Sequence, residues 1–267
     1  MISPSPKLGV VVLLDFLGVS TFDARGCTEF LSKRVKVLER LELAKKEVAK
    51  FGAAELSIRT FGDSILVTWP TGIVHSDDVL VMGEVLKIVF HTCIANQILL
   101  RGAVSAGEFV ETQTQNDSVA VGPAVADAAA WFEAADWSGI IATPRTGHLL
   151  DFRQRDCICT GDPDPALMEG TFVKHSVPIR SKGATSGESK EMRRLWCLAW
   201  PEWLTRISGS NEKRAATFYE QISFFKAIPR GTEQKYSNTM EFFEWYWNEV
   251  LPRVSAAILS HKPLAPK

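Results

Sequence analysis

No apolar run in this chain approaches the roughly 18 to 20 residues needed to cross a bilayer. The opening Met1-Ile2-Ser3-Pro4-Ser5-Pro6-Lys7 lacks the basic start and apolar core of a secretory signal. Together these absences lead to the expectation of a cytoplasmic protein without membrane insertion. Cysteine is scarce and odd in number: Cys27, Cys93, Cys157, Cys159 and Cys197 give neither a disulfide framework nor paired C-x-x-C zinc spacing. Cys157-Ile158-Cys159 reads as a strand edge. The histidines are scattered and form no H-E-x-x-H cluster, so they read as solvated or core residues. An excess of one charge is missing too. Lys and Arg number 30 against 31 Asp and Glu, a net charge of −1, and no basicity of the whole chain points to nucleic acid. A nucleotide is not excluded, because its site needs only local cations.

What is present is ample material for a core. The 267 residues suffice for one large or two small domains. Gly9-Val10-Val11-Val12-Leu13-Leu14 is continuous and β-branched, as a strand buried on both faces should be, and it ends in Asp15-Phe16-Leu17-Gly18-Val19-Ser20. A second acid, Asp63, stands in Arg59-Thr60-Phe61-Gly62-Asp63-Ser64, between strand-like Leu56-Ser57-Ile58 and Ile65-Leu66-Val67-Thr68-Trp69. Either acid alone reads as turn or cap chemistry. Two lone carboxylates at two strand ends, one beside a Gly-containing turn with free N–H groups, favour a site for a metal-bound polyphosphate.

These residues resemble the class III nucleotidyl cyclases. Asp15 in LLDFLGVS is similar to that family's first metal-binding aspartate, and Asp63 in RTFGDSILV to its second. Val119-Ala120-Val121-Gly122-Pro123-Ala124-Val125-Ala126-Asp127-Ala128-Ala129 is similar to the glycine-led helix contributed by the partner subunit. The likeness covers about residues 8 to 200. Within the family the chain resembles the pyrimidine cyclases of bacterial Pycsar anti-phage systems, through Arg101-Gly102-Ala103-Val104-Ser105, Val177-Pro178-Ile179-Arg180 and Lys235-Tyr236-Ser237-Asn238-Thr239.

The resemblance implies two ions of Mg2+ or Mn2+ per site, about 3.5 to 4 Å apart, held by Asp15, Asp63 and the main chain of Phe16. Phosphates would lie on the N–H groups of Phe16, Leu17, Gly18 and Val19, with Ser20 and Arg180 nearby. It also implies a homodimer with composite sites and a separate effector that senses the cyclic product. The family's Asn and Arg on the glycine-led helix are replaced by Ala126 and Ala130, so the neutralising charge must come from elsewhere. Arg101, Arg180 and Lys182 are candidates, with Arg101 preferred as a catalytic cation; pairing of Arg101 with a structural carboxylate is the competing reading. Arg59 and Val119 occupy the base-reading positions. An arginine fork without an acid beside it suits a carbonyl-rich base, giving UTP first and CTP second. A purine nucleotide cyclase, or a catalytically silent module that only binds nucleotide, is the alternative.

The expected fold is α/β in alternation, an α+β class built on a ferredoxin-like β-α-β-β-α-β cyclase core over residues 1–200, with a helical C-terminal extension over 201–267. The spacing predicts a helix from about Thr28 to Phe51, with Leu31, Val35, Leu38, Leu41 and Val48 on one face and the basic residues on the others. It predicts a second helix from Ser76-Asp77-Asp78 to about Asn96, a strand from Ile98 to Val110, a polar turn over Glu111–Ser118 and a helix over Ala124–Ala135. Residues from Leu149 to Pro178 read as irregular, Ser181–Lys190 as a polar insertion, and Leu195–Trp200 as a last strand. The late aromatics, Phe218, Phe224 and Phe225 and then Phe242, Phe243, Trp245, Tyr246 and Trp247, read as a packing seam.

Overall fold

The computed structural model describes residues 5–49, 56–113, 118–160, 165–180, 191–207 and 232–260. The apolar run forms β1 (Lys7–Phe16), buried almost throughout. A short 3-10 turn at Val19–Thr21 leads to α1 (Ala24–Ala49). The hairpin β2 (Ser57–Phe61) and β3 (Ser64–Pro70) turns at Gly62, whose φ of 56° is open to a glycine at little cost. Then come α2 (Ser76–Ala95) and β4 (Leu100–Gln113). β1 pairs antiparallel with both β3 and β4, and β3 with β2. The spatial order β2-β3-β1-β4 is that of a ferredoxin-like core.

Beyond it lie β5 (Ser118–Val121), α3 (Pro123–Phe132), β6 (Ile140–Ala142), α4 (Pro144–Thr160), α5 (Pro165–Glu169), β7 (Phe172–Ile179) and β8 (Glu191–Leu198). β6 adds to β4 in parallel and β8 and β7 follow, so that, with β5 on β4, the sheet has eight strands. α6 (Trp200–Ile207), α7 (Glu233–Trp245), a π turn and α8 (Leu251–Ser260) close the described chain. No described helix is long and apolar enough to cross a membrane.

Alternation along the strands sorts the two faces of the sheet. Val10, Val12, Leu14 and Phe16 join Ile65, Val67 and Trp69 in the main core, with Phe30, Val37, Leu41 and Val48 of α1 and the stripe of α2. Val11 and Leu66 face the other way, onto Phe109 and Ala124 and Ala128 of α3. Asp127 fastens that helix, accepting hydrogen bonds from Ser105 Oγ at 2.7 Å and Thr143 Oγ1 at 2.6 Å. Asp15 and Arg101 fall in the same alternation as Val11 and Ser105, so they share the α3 face.

Several expectations are corrected. α1 turns Leu31 and Val35 outward, 54% and 51% exposed, because Phe30, Val37, Leu41 and Val48 make a competing apolar stripe that packs instead. The stretch 149–178 is not irregular: it carries most of α4, all of α5 and β7 up to Pro178. Cys157 and Cys159 therefore lie on a helix, not at a strand edge, with Cys157 buried and Cys159 exposed. Glu111, Thr112 and Gln113 continue β4 where a turn was expected. The helix expected from Ser76 is present as α2, burying Val79, Met82, Val85, Leu86, Val89 and Phe90, and Asp78 Oδ2 accepts the His75 N–H at 2.8 Å at its start. Phe242, Phe243 and Tyr246 are core residues; Phe218, Phe224, Phe225 and the insertion 181–190 lie outside the described residues.

His175 on β7 is packed among Trp137, Phe242 and Trp245, with the Trp245 ring centroid 4.4 Å away. Burial pushes it down to about 4 from 6.5. The unfolded chain thus takes up a proton here as pH falls from 6.5 toward 4 while the fold does not, so this contribution to stability is complete above pH 6.5 and is lost below it. Urea midpoints should fall between pH 7 and pH 5, and fall less in His175→Phe.

Candidate active site

One cleft of about 460 Å³ collects most of the sequence-derived residues: Asp15, Phe16, Leu17, Gly18, Val19, Ser20, Asp63, Arg101 and Arg180. The strand register explains it. Asp15 is the residue of β1 opposite Ser64 of β3 and opposite Arg101 of β4, and the main-chain N–H of Phe16 donates to the Asp63 carbonyl at 3.2 Å. The two carboxylates, 48 positions apart in the numbering, thereby stand at one end of one sheet face.

Their surroundings differ. Asp15 is 8% exposed and receives Arg101 Nε at 2.9 Å and Nη2 at 2.7 Å, both on Oδ2. Ser64 Oγ donates to the other oxygen, Oδ1, at 3.1 Å. Asp63 is half-buried and its carboxylate makes no hydrogen bond or ion pair among the described residues. Arg101 also reaches Glu133 at 3.4 Å and lies over the Phe132 ring at 5.4 Å. Arg101 is thus ion-paired to a carboxylate, and that carboxylate is the strand-end acid Asp15 itself. Because it engages Oδ2, Oδ1 keeps acceptor capacity on the side facing Ser64.

The expected row of free N–H groups is shorter than the sequence suggests. Phe16 N donates to Asp63 O and Leu17 N to Leu99 O at 2.9 Å, since β1 continues through Phe16 where a turn was expected to begin. The turn itself starts at Gly18, φ 82°. Arg180 is held by Asp136, with Nε at 2.8 Å and Nη2 at 2.7 Å from Oδ1. Lys182 lies outside the described residues.

Arg59 and Val119 are not in this cleft. Arg59 is buried, giving Nη2 to Glu111 Oε2 at 2.8 Å and Nη1 to Thr68 Oγ1 at 3.1 Å. Thr68 and Lys7 donate to Glu111 as well, at 2.7 Å and 2.8 Å. These three hydrogen bonds outweigh burial and hold the Glu111 carboxyl below its ordinary range. The expectation of an arginine without an acid is thus overturned: Val119 is exposed on β5, but its opposite on β4, Thr112, adjoins Glu111, which supplies the carboxylate. Ala126 and Ala130 are exposed on α3.

Sequence reasoning assigned no role to Lys235, Thr232 or Glu133, which also line the cleft. Lys235 had a signal. It shares the inward stripe of α7 with Asn238, Thr239 and Phe242, at helical spacing, where a lysine is out of place. Burial first, then the guanidiniums of Arg101 and Arg180, push Lys235 down to about 8 against the pull of Asp136 and Asp15.

A larger recess of about 640 Å³ lies elsewhere, between α4, β7, β8 and the C-terminal helices. Charges there are paired at short range, Lys174 with Asp151 at 2.7 Å and Arg253 with Glu169 at 2.9 Å. Neither of the strand-end acids reaches it.

Two carboxylates are few ligands, and the described residues hold no group of three or more His, Cys, Asp or Glu that could bind a metal ion. Magnesium nevertheless fits this donor set. It keeps several waters and takes one or two carboxylates plus substrate phosphates. Oδ1 of Asp15 and the carboxylate of Asp63, unpaired among the described residues, are hard oxygen donors of that kind.

No protein-family model matches the chain and no curated protein matches it. Solved structures of similar course include the adenylyl cyclase CyaB from P. aeruginosa, at 13% identity over 79% of this chain and 98% of that one, TM-score 0.44. Another is the non-canonical dimeric guanylyl cyclase domain of the RhoGC fusion protein from the aquatic fungus Blastocladiella emersonii, at 14% identity over 73% and 98%, TM-score 0.48. The guanylyl cyclase Cya2 follows at 14% identity over 74% and 94%, TM-score 0.43.

Proposed function

We propose that the chain is a nucleotide cyclase that converts a nucleoside triphosphate to its 3′,5′-cyclic monophosphate and pyrophosphate. The observation that carries this is the meeting of Asp15 and Asp63 in one cleft with Arg101 and Arg180. In the reaction the ribose 3′-oxygen bonds to the α-phosphorus, the bond from that phosphorus to the β-phosphate bridge breaks, and the hydroxyl proton leaves to water. Magnesium or manganese bound by Asp15, Asp63 and the Phe16 main chain would supply the charge that stabilises the ionised hydroxyl and the leaving pyrophosphate.

The protein's own groups do the rest. Arg101 orients Asp15 through Oδ2, leaving Oδ1 toward the substrate. Arg180, fixed by Asp136 through Nε and Nη2, keeps Nη1 for a phosphate oxygen beside the turn at Val19 and Ser20. Arg59 stands with Thr68, toward the other end of β3 from Ser64. In an isologous dimer, the Arg59 end and the α3 face of one subunit would cover the acids of the other, giving two composite sites.

For the base we propose uracil first and cytosine second, as the likeness to the pyrimidine cyclases implies; the fork of Arg59 is engaged by Glu111 and Thr68 and so does not by itself select the base. The product would act as a second messenger in antiviral defence, read by a separate effector. The Glu111 carboxylate beside Arg59 favours a second reading: it offers an acceptor for an exocyclic amino group, which adenine, guanine and cytosine carry and uracil lacks. Incubating the protein with ATP, GTP, CTP and UTP separately, with manganese, should yield cyclic UMP as the main product. Cyclic AMP or GMP alone would overturn the pyrimidine assignment, and no cyclic product from any of the four would leave only a nucleotide-binding module.

A further inference from the structure

We propose that Lys235, delivered by α7, is a substrate-contacting cation that binds the polyphosphate of the triphosphate, so that the C-terminal helices complete the active site. The inference rests on the cyclase reading and goes beyond it in assigning a residue and a segment.

The cleft's charges make the case. Arg101 is committed to Asp15 and Arg180 to Asp136, each through two short contacts. Lys235 is 7% exposed and lines the same cleft, yet its ammonium makes no hydrogen bond or ion pair among the described residues. Its stem is buried while its ammonium opens onto the cleft, where no side chain among the described residues satisfies it. Its placement in the first turn of α7 sets it against the positive end of the helix dipole. Arg101 and Arg180 nearby repel it further. Burial, the helix dipole and the two guanidiniums outweigh the pull of Asp136 and Asp15 on this side chain, and an anion in the cleft redresses the balance.

The helix is fixed for that purpose. Asn238 Nδ2 donates to the Asp136 carbonyl at 2.6 Å, and Thr239 Oγ1 accepts the Ser138 N–H at 2.8 Å and donates to the Lys235 carbonyl at 2.6 Å. Ser138 Oγ in turn donates to the Leu100 carbonyl at 2.9 Å, one residue before Arg101. The main chain that carries Lys235 is thereby tied to the strand that carries Arg101. With Ala126 and Ala130 uncharged on α3, Lys235 supplies a cation that is not already neutralised.

The probe is inorganic tripolyphosphate with manganese, which removes the base from the question, titrated calorimetrically into wild type, Lys235→Met and Lys235→Arg. Loss of a charge-assisted hydrogen bond should weaken binding about tenfold or more in the Met variant, and the Arg variant should recover much of it. The ligand-free Met variant should melt at or above the wild-type temperature, because a charge repelled by Arg101 and Arg180 has gone; a packing lysine would lower it. Equal tripolyphosphate binding by wild type and Lys235→Met, with cyclase activity present, overturns the role of Lys235 and leaves the cyclase reading standing. No binding and no cyclic product from wild type overturns both.

Discussion

Asp63→Asn should abolish cyclic nucleotide formation, lowering turnover by about 10³-fold or more, while leaving the melting temperature unchanged within about a degree. The expectation follows from the asymmetry of the two acids. Asp63 is half-buried and its carboxylate has no partner among the described residues, so its removal breaks no contact of the fold. Loss of a ligand that stabilises transition-state charge is worth several kcal/mol, and each 1.36 kcal/mol is about tenfold in rate. Asp15→Asn should be equally inactive but also less stable, since it strips the Arg101 guanidinium of its main counter-charge. Radiolabelled turnover beside thermal melts separates the two. Mixing Asp63→Asn with an Ala126→Asp chain, which sets a negative charge on the exposed face of α3, should restore about one working site per heterodimer. A site built within one chain gives no recovery. Full activity in Asp63→Asn would remove the metal-centred account altogether.

Glu202→Ala should be the most destabilising single change to the charged groups of the fold. Lys87 of α2 is fully buried, with its ammonium 2.7 Å from Glu202 Oε2, 2.8 Å from the Gly170 carbonyl and 2.7 Å from Glu84. Glu202 is itself 2% exposed, so truncating it removes the buried counter-charge and leaves Lys87 only the more exposed Glu84 and the Gly170 carbonyl. Breaking such a pair costs about 3 to 5 kcal/mol. At roughly 2 to 4 °C per kcal/mol for a chain of this size, melting should fall by about 6 to 20 °C. The double variant Lys87→Met, Glu202→Leu, which removes both charges and keeps the volume, should recover most of the loss. Should the single change cost less than about 1 kcal/mol, Glu84 alone neutralises Lys87.

The β-α-β-β-α-β order was legible because its signals are local. Val10 to Leu14 can only be a buried strand, and the α2 stripe has no rival. α1 was legible as a helix but not in phase: Leu31 and Val35 compete with Phe30 and Val37, and only packing against α2 decides between them. α4 hid because Arg153, Gln154, Arg155 and Asp156 interrupt its apolar positions. In the cleft, Asp15 and Asp63 were readable as lone acids at strand ends. The bonds that set their states were not. Arg101 to Asp15 and Arg59 to Glu111 join residues 86 and 52 positions apart, a distance that leaves no mark in local sequence.

β6 is three residues long and meets β8 at a single register pair, Ile141 with Cys197. Within the sheet the four-stranded half that carries both acids thus meets the β7–β8 half through β6, and beside it the main chain of Ala134 and Asp136 bonds the end of β7 at Arg180 and Pro178. A ligand that engages Asp15 and Arg180 would span that junction, so occupancy of the cleft should slow hydrogen exchange in the three-residue β6.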